Sequence, residues 1–219
     1  MWKTSRMSNP SRGYFIRLDG PDGGGKTTQA VRLAEWLRGL GRNVITCRDP
    51  GGTGLGERLR SILLDRSTLN ISMRSEMLMY MSSRAQLVEE VILPALERGE
   101  DVVSDRYLLA NVVYQGYAGG LPVDDLWHVG RVATGGLMPD LTVVLDLPTE
   151  LARGRVGKAR DRMEDRPDDY HRRVRDGFLE AARTYRTPIR IIDASTDAET
   201  VAQTLQAEVA HALALDPRT

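Results

Sequence analysis

The stretch Gly-Pro-Asp-Gly-Gly-Gly-Lys-Thr-Thr, residues 20–28, constrains the fold more than any other part of the chain. An apolar run, residues 14–19, leads into it, and Ala30, Leu33, Ala34 and Leu37 follow at helical spacing. A strand that passes through a glycine-rich turn into a helix leaves backbone N–H groups facing the inside of the turn. Those donors and the positive end of the helix form a cradle for an anion, and Lys26 adds a full charge to it. The strand must lie within a sheet, because the helix needs a face to pack on.

The remaining sequence supplies that sheet. Apolar runs at 43–47, 101–105, 140–147 and 189–193 read as four further strands. Helical patterns lie between them, at 55–65, 75–98, 108–115, 123–134 and about 167–185. Val201, Leu205, Val209 and Leu213 mark a last helix. The run at 140–147 is almost continuously apolar, as a strand covered on both faces should be. Regular alternation predicts an α/β fold of three layers, a five-stranded parallel sheet with helices on both sides. Ligands then belong beyond the carboxyl ends of the strands. Residues 13–215 read as one domain, behind a flexible polar tail at 1–12, and translation could equally begin at Met7.

Thirty basic residues balance thirty acidic ones, which speaks against a nucleic-acid or membrane-surface partner. No apolar run approaches the roughly 18 residues of a membrane span. The first residues lack the apolar core of a secretory signal, so the cytoplasm is the expected compartment. Cys47 is the single cysteine. It rules out an internal disulfide and reads as a core thiol.

Gly20-x-x-x-x-Gly25-Lys26-Thr27 fits the P-loop pattern, with Gly23, Gly24 and Thr28 completing the cradle. ATP is the expected ligand. Lys26 would neutralise its β and γ phosphates, and Thr27 would hold Mg²⁺ directly or through water. Asp105, at the end of the third strand, is a second candidate metal ligand. No guanine-reading N-K-x-D segment is present. Basic residues, mostly arginines, instead cluster where chemistry is expected: Arg48, Arg84, Arg106, and Arg153, Arg155, Lys158, Arg160 and Arg162 in the stretch 153–162. An acceptor that is itself a phosphate needs no general base, since its oxygen is already anionic. Its difficulty is repulsion, about 4 kcal/mol for each pair of unit charges ~4 Å apart at an effective dielectric near 20. Arginine forks and a metal offset that repulsion. His128, His171 and His211 lie outside all these motifs. The pattern favours a nucleoside monophosphate kinase.

Five segments, in order, resemble the thymidylate kinases: RDPGGT (48–53), SSRAQLVEEVILPAL (82–96), DRYLLANVVYQG (105–116), PDLTVVLDL (139–147) and DRME (161–164). The resemblance implies ATP-dependent phosphorylation of dTMP by a homodimer, with a mobile Arg-rich lid at about 150–165. It also implies roles. Asp22 would meet the 3′-hydroxyl of the acceptor sugar, and Arg106 would grip the acceptor phosphate. Arg84 would meet the pyrimidine O4, Tyr114 would crowd the 2′ position, and Gln115 would lie at the acceptor site. Asp49 stands near the transferred phosphate where the family has glutamate. Arg153 and Arg155 would be the catalytic lid arginines, with Arg162 and Glu164 as anchor, while Lys158 and Arg160 read equally well as solvated charges.

Three positions depart from the family pattern. Tyr80 replaces the phenylalanine that stacks on the base. Ala110 replaces a serine, beside Asn111, which could hydrogen-bond the base edge. Gly119 stands where many members have arginine. Ordinary drift explains these, or else the acceptor is a modified pyrimidine nucleotide. A third reading is a nucleotide-binding scaffold without catalysis, against which the full set of charged residues speaks.

Overall fold

A computed structural model describes residues 12–66, 69–155, 161–185 and 189–215 of the 219. Its centre is β1 (Phe15–Asp19), in which all five residues are buried. β1 pairs in parallel with β3 (Asp101–Asp105) on one side and β4 (Leu141–Asp146) on the other. β2 (Val44–Arg48) and β5 (Ile189–Asp193) form the edges, giving the order β2-β3-β1-β4-β5. Both faces of the central strands are covered: every residue of β1 and β3 is buried, and every residue of β4 except Asp146. The edge strands alternate in burial, as half-covered strands do.

α1 (Lys26–Gly39) and α9 (Ala198–Leu213) pack together on one face. Ala30, Leu33, Ala34 and Leu37 are the buried stripe of α1. Gly41, at φ 76°, lets the chain turn away from it, with Arg42 N on Leu37 O at 3.2 Å. The other face carries α2 (Gly54–Leu64), α3 (Met73–Leu87), α4 (Leu93–Glu97), α5 (Leu108–Asn111), α6 (Val123–Ala133) and α8 (Asp168–Thr184). Side-chain caps start α2 and α3: Thr53 accepts from Gly56 N and Ser72 from Ser75 N.

The helix expected over 75–98 is α3 and α4 joined by a π-helical turn, Val88–Ile92. Pro94 lacks the N–H that would continue the α ladder, and the ladder widens just before it. A second π turn, Val112–Tyr117, follows α5 and replaces the regular helix expected there. Residues 149–155 differ more from expectation. They form a helix, α7 (Thr149–Arg155), at the position assigned to the start of a lid. Lys158 and Arg160 lie outside the described residues. Arg12, assigned to the tail, belongs to the fold: it is buried and bonds Asp140 at 2.8 Å. Cys47 is partly rather than fully buried, and burial pushes its thiol up to about 12. Among the described residues, no helix is long and apolar enough to cross a membrane.

Candidate active site

The carboxyl ends of β1, β2 and β3 open into a cavity of about 450 Å³, within the usual range for a small-molecule site. Its floor is the glycine-rich turn. Gly20 has φ 130°, and a Cβ there would stand 2.3 Å from Leu145 O, so no side chain fits. Gly23 (φ 76°) faces Ala152 O in the same way, and Gly25 (φ 80°) caps α1 in a left-handed conformation. Gly23, Gly25, Lys26, Thr27 and Thr28 line the cavity, while Gly20 and Gly24 shape the turn behind it. Lys26 Nζ donates to Pro21 O at 2.7 Å. Burial and the neighbouring Arg106 push this amine down to about 8, against the pull of Asp22.

Thr27 Oγ1 donates to Asp105 Oδ2 at 2.5 Å, so a hydroxyl and a carboxylate stand together at the cradle's edge. Paired oxygen donors of this kind suit a hard divalent cation. No cluster of three acidic, His or Cys metal ligands exists among the described residues.

Against the cradle, just past the end of β3, stands Arg106. Its backbone is left-handed, φ 69°, which is rare outside glycine. That geometry follows from the end of β3: Arg106 N still bonds Leu18 O at 2.9 Å, while the chain turns toward α5. The guanidinium donates to Gly20 O at 3.1 Å, to the Tyr114 hydroxyl at 3.1 Å, and to Asp22. Its carbon lies 4.9 Å from the centroid of the Tyr114 ring. Tyr114 Oη donates in turn to Asp22 Oδ2 at 2.9 Å. Burial alone would push Asp22 up, yet Arg106, Lys26 and the Tyr114 hydroxyl together hold it below the usual carboxylate range. Burial opposes the charge on Arg106 too, but Tyr114 and Asp22 outweigh it.

The far wall is polar and buried. Arg84 donates through Nε to Asp49 Oδ2 at 2.5 Å and through Nη1 to Asn111 Oδ1 at 3.0 Å. Burial pushes Asp49 up in spite of Arg84. Asn111 donates to Gln115, and Gln115 donates to Glu76 at 2.8 Å. Tyr80 and Ala110 also line the cavity, and burial pushes the Tyr80 phenol up. Gly119 does not line it. A Cβ at Gly119 would stand 2.6 Å from Gln115 O and 2.7 Å from Met73 Sδ, so packing excludes any side chain there. One of the three departures from the family pattern thus has a local cause.

Arg155 reaches the cavity rim, where its guanidinium donates to Ala194 O at 2.8 Å and Ser195 O at 3.2 Å. Arg153 does not share that cavity. It lines a smaller hollow with Pro21, Asp22 and His171 and pairs with Asp168. Arg162 donates to Leu63 O at 2.8 Å and Glu76 at 2.6 Å, and Glu164 lines both hollows. Three residues here escaped the sequence reading. Arg60 of α2 lines the main cavity and donates to Pro50 O at 3.1 Å. Fully buried Glu76 receives both Arg162 and Arg166. A signal for Glu76 existed, because it lies four and eight residues before Tyr80 and Arg84 and so shares their helix face.

A glycine cradle with a lysine thus shares one cavity with Arg48, Arg60, Arg84, Arg106 and Arg155. Comparison with known proteins agrees. The family model described as Thymidylate kinase matches residues 18–205. The chain belongs to the thymidylate kinase family. It is 47% identical over 205 residues to the thymidylate kinase of Rhodopirellula baltica, covering 94% of this chain and 83% of that one. It is 46% identical over 183 residues to that of Caldanaerobacter subterraneus, 83% and 88% of the two chains. For the enzyme of Bifidobacterium longum, identity is 40% over 200 residues, 90% and 97% of the two. Members of this family are nucleoside monophosphate kinases, and the five-stranded parallel sheet is the fold expected of one.

Proposed function

We propose that this chain transfers the γ-phosphoryl group of ATP to the phosphate of dTMP. The observation that carries the reading is Arg106, held by Gly20 O, Asp22 and Tyr114 so that its guanidinium lines the same cavity as the glycine-rich turn and Lys26. The P-loop amides and Lys26 hold the donor phosphates. Arg106 holds the acceptor phosphate and balances its charge. With both phosphates fixed, attack needs alignment and charge neutralisation rather than a base. Asp22 and Tyr114 sit beside Arg106 and meet the acceptor sugar. Tyr80 stacks on the base, and Arg84 and Asn111 read its edge. Asp49 holds Arg84 in place. Thr27 and Asp105 would hold Mg²⁺, which offsets charge on the donor phosphates. Arg155, at the rim, is the better placed of the two lid arginines to approach the transferring group; Arg153 is committed to Asp168.

The protein pairs with a second copy in this reading. Leu55 and Ile62 of α2, Leu78 of α3 and Val132 of α6 are exposed large apolar residues on packed neighbouring helices, and support it. The compartment is the cytoplasm. A coupled assay across dTMP, dUMP, UMP, dCMP and 5-hydroxymethyl-dUMP tests the reaction. The highest kcat/KM is expected for dTMP. Preference for the decorated nucleotide would instead assign Tyr80 and Ala110 to a modified acceptor, and ATP binding without turnover of any acceptor would leave only the scaffold.

A further inference from the structure

Glu76 belongs to a hydrogen-bonded chain with a direction. It accepts from Arg162 at 2.6 Å, from Arg166 at 2.8 Å and from Gln115 Nε2 at 2.8 Å. Gln115 Oε1 accepts from Asn111 Nδ2 at 2.6 Å. Asn111 Oδ1 accepts from Arg84 Nη1 at 3.0 Å. A side-chain amide can turn end for end with little change of shape, exchanging donor for acceptor. Neither amide can turn here. A carboxylate held by two guanidinium groups only accepts, and Arg84 only donates. Gln115 must therefore give its NH₂ to Glu76 and its oxygen to Asn111. Asn111 must give its NH₂ to Gln115 and its oxygen to Arg84. Turning either one sets oxygen against oxygen or N–H against N–H in a buried site.

We propose that Glu76, acting through Gln115, is a positioning residue that fixes the sense of Asn111 and so sets which pyrimidine the acceptor pocket takes. The proposal rests on the dTMP-kinase reading above. Arg84 and Asn111 both line the cavity. Each amide atom of Asn111 keeps capacity for one more bond: the oxygen has a second lone pair and the nitrogen a second hydrogen. From Arg84 outward the wall then reads guanidinium N–H, carbonyl oxygen, amide N–H. That is donor, acceptor, donor. Thymine and uracil present O4, N3–H and O2, which is acceptor, donor, acceptor, a full match. Cytosine presents an amino group and a bare N3 at the first two places, and both are opposed. Sites that leave buried polar groups unpaired against the wrong ligand discriminate strongly.

The test measures kcat/KM for dTMP and dCMP. Glu76→Gln keeps the shape but adds a donor at position 76, so only the Arg84 end still opposes turning the two amides together and one of the two clashes is removed. The dTMP-to-dCMP ratio is expected to fall about tenfold or more. Gln115→Met breaks the relay yet leaves Arg162 and Arg166 on Glu76, and the ratio should fall again. This variant also serves if Glu76→Gln does not fold. In the double swap Glu76→Gln with Gln115→Glu, the carboxylate at position 115 accepts from both sides. The second clash against a turned Asn111 returns, and the ratio should recover. The relay is overturned if the single variants slow both nucleotides by one factor, or if the swap restores nothing. A wild-type enzyme without activity on dTMP would overturn the dTMP-kinase reading and the relay together. A dTMP-preferring wild type with unchanged ratios in the variants would overturn the relay alone.

Discussion

The phosphate cradle and the acceptor wall share one cavity but are built in opposite ways. The cradle is contiguous, residues 20–28, and is specified by what its residues lack: Gly20, Gly23 and Gly25 all have positive φ, and carbonyls crowd the places where Cβ atoms would stand at Gly20 and Gly23. The acceptor wall draws on the end of β2, on α3, on the second π turn and on the segment after α7. It is specified by buried charges that must balance: Asp49 with Arg84, and Glu76 with Arg162 and Arg166. Removing the charge of Lys26 from the first should damage function with little loss of stability. A change in the second should damage both, since removing one partner strands the other.

The largest effect should come from Lys26→Ala. We expect kcat/KM for ATP to fall about 10³-fold, the scale of losing a charge-stabilising donor. Because burial and Arg106 already push this amine down to about 8, Tm should hold or rise. A fall of several degrees would break the comparison. Arg84→Met comes next. It leaves Asp49, 1% exposed, without its guanidinium, and should lower stability by about 3 kcal/mol in urea unfolding as well as raise the acceptor KM. Unchanged stability would show that the wall is no more constrained by charge than the cradle is.

A smaller effect concerns Asp19, which lies at the end of β1 beneath both regions. Burial pushes its carboxyl up to about 6, although Arg17 stands 3.1 Å away. Between about pH 4 and 6 the folded chain then keeps a proton that the unfolded chain has released. Its contribution to stability is largest below that window and is lost as pH rises through it. Across pH 4.5–7, Tm of the wild type should therefore fall relative to Tm of Asp19→Asn. A difference that stays flat with pH would place the charge of Asp19 outside this balance.

The same contrast explains what the sequence made legible. The five strands, most helices and the cradle are local patterns, and they lie within a residue or two of where periodicity places them. The π turns do not show in periodicity, because Val112–Tyr117 takes its geometry from packing against α8 and α6. Residues 149–155, rich in charge and holding Gly154, hid the helix α7. Asp22, Arg84, Arg106, Tyr114 and Gln115 were placed at the acceptor by resemblance, and the structure brings them together in one cavity from four parts of the chain. Glu76 was passed over because an acidic residue on a helix ordinarily faces water. Here three donors from distant segments make its burial tolerable.

Titration calorimetry of dTMP and of thymidine, on the wild type and on Arg106→Met, tests the central claim most directly. If Arg106 holds the acceptor phosphate, the wild type should bind dTMP at least 100-fold more tightly than the nucleoside, and the variant should lose most of that preference while its affinity for thymidine stays the same. A variant that keeps the wild-type preference would contradict the account.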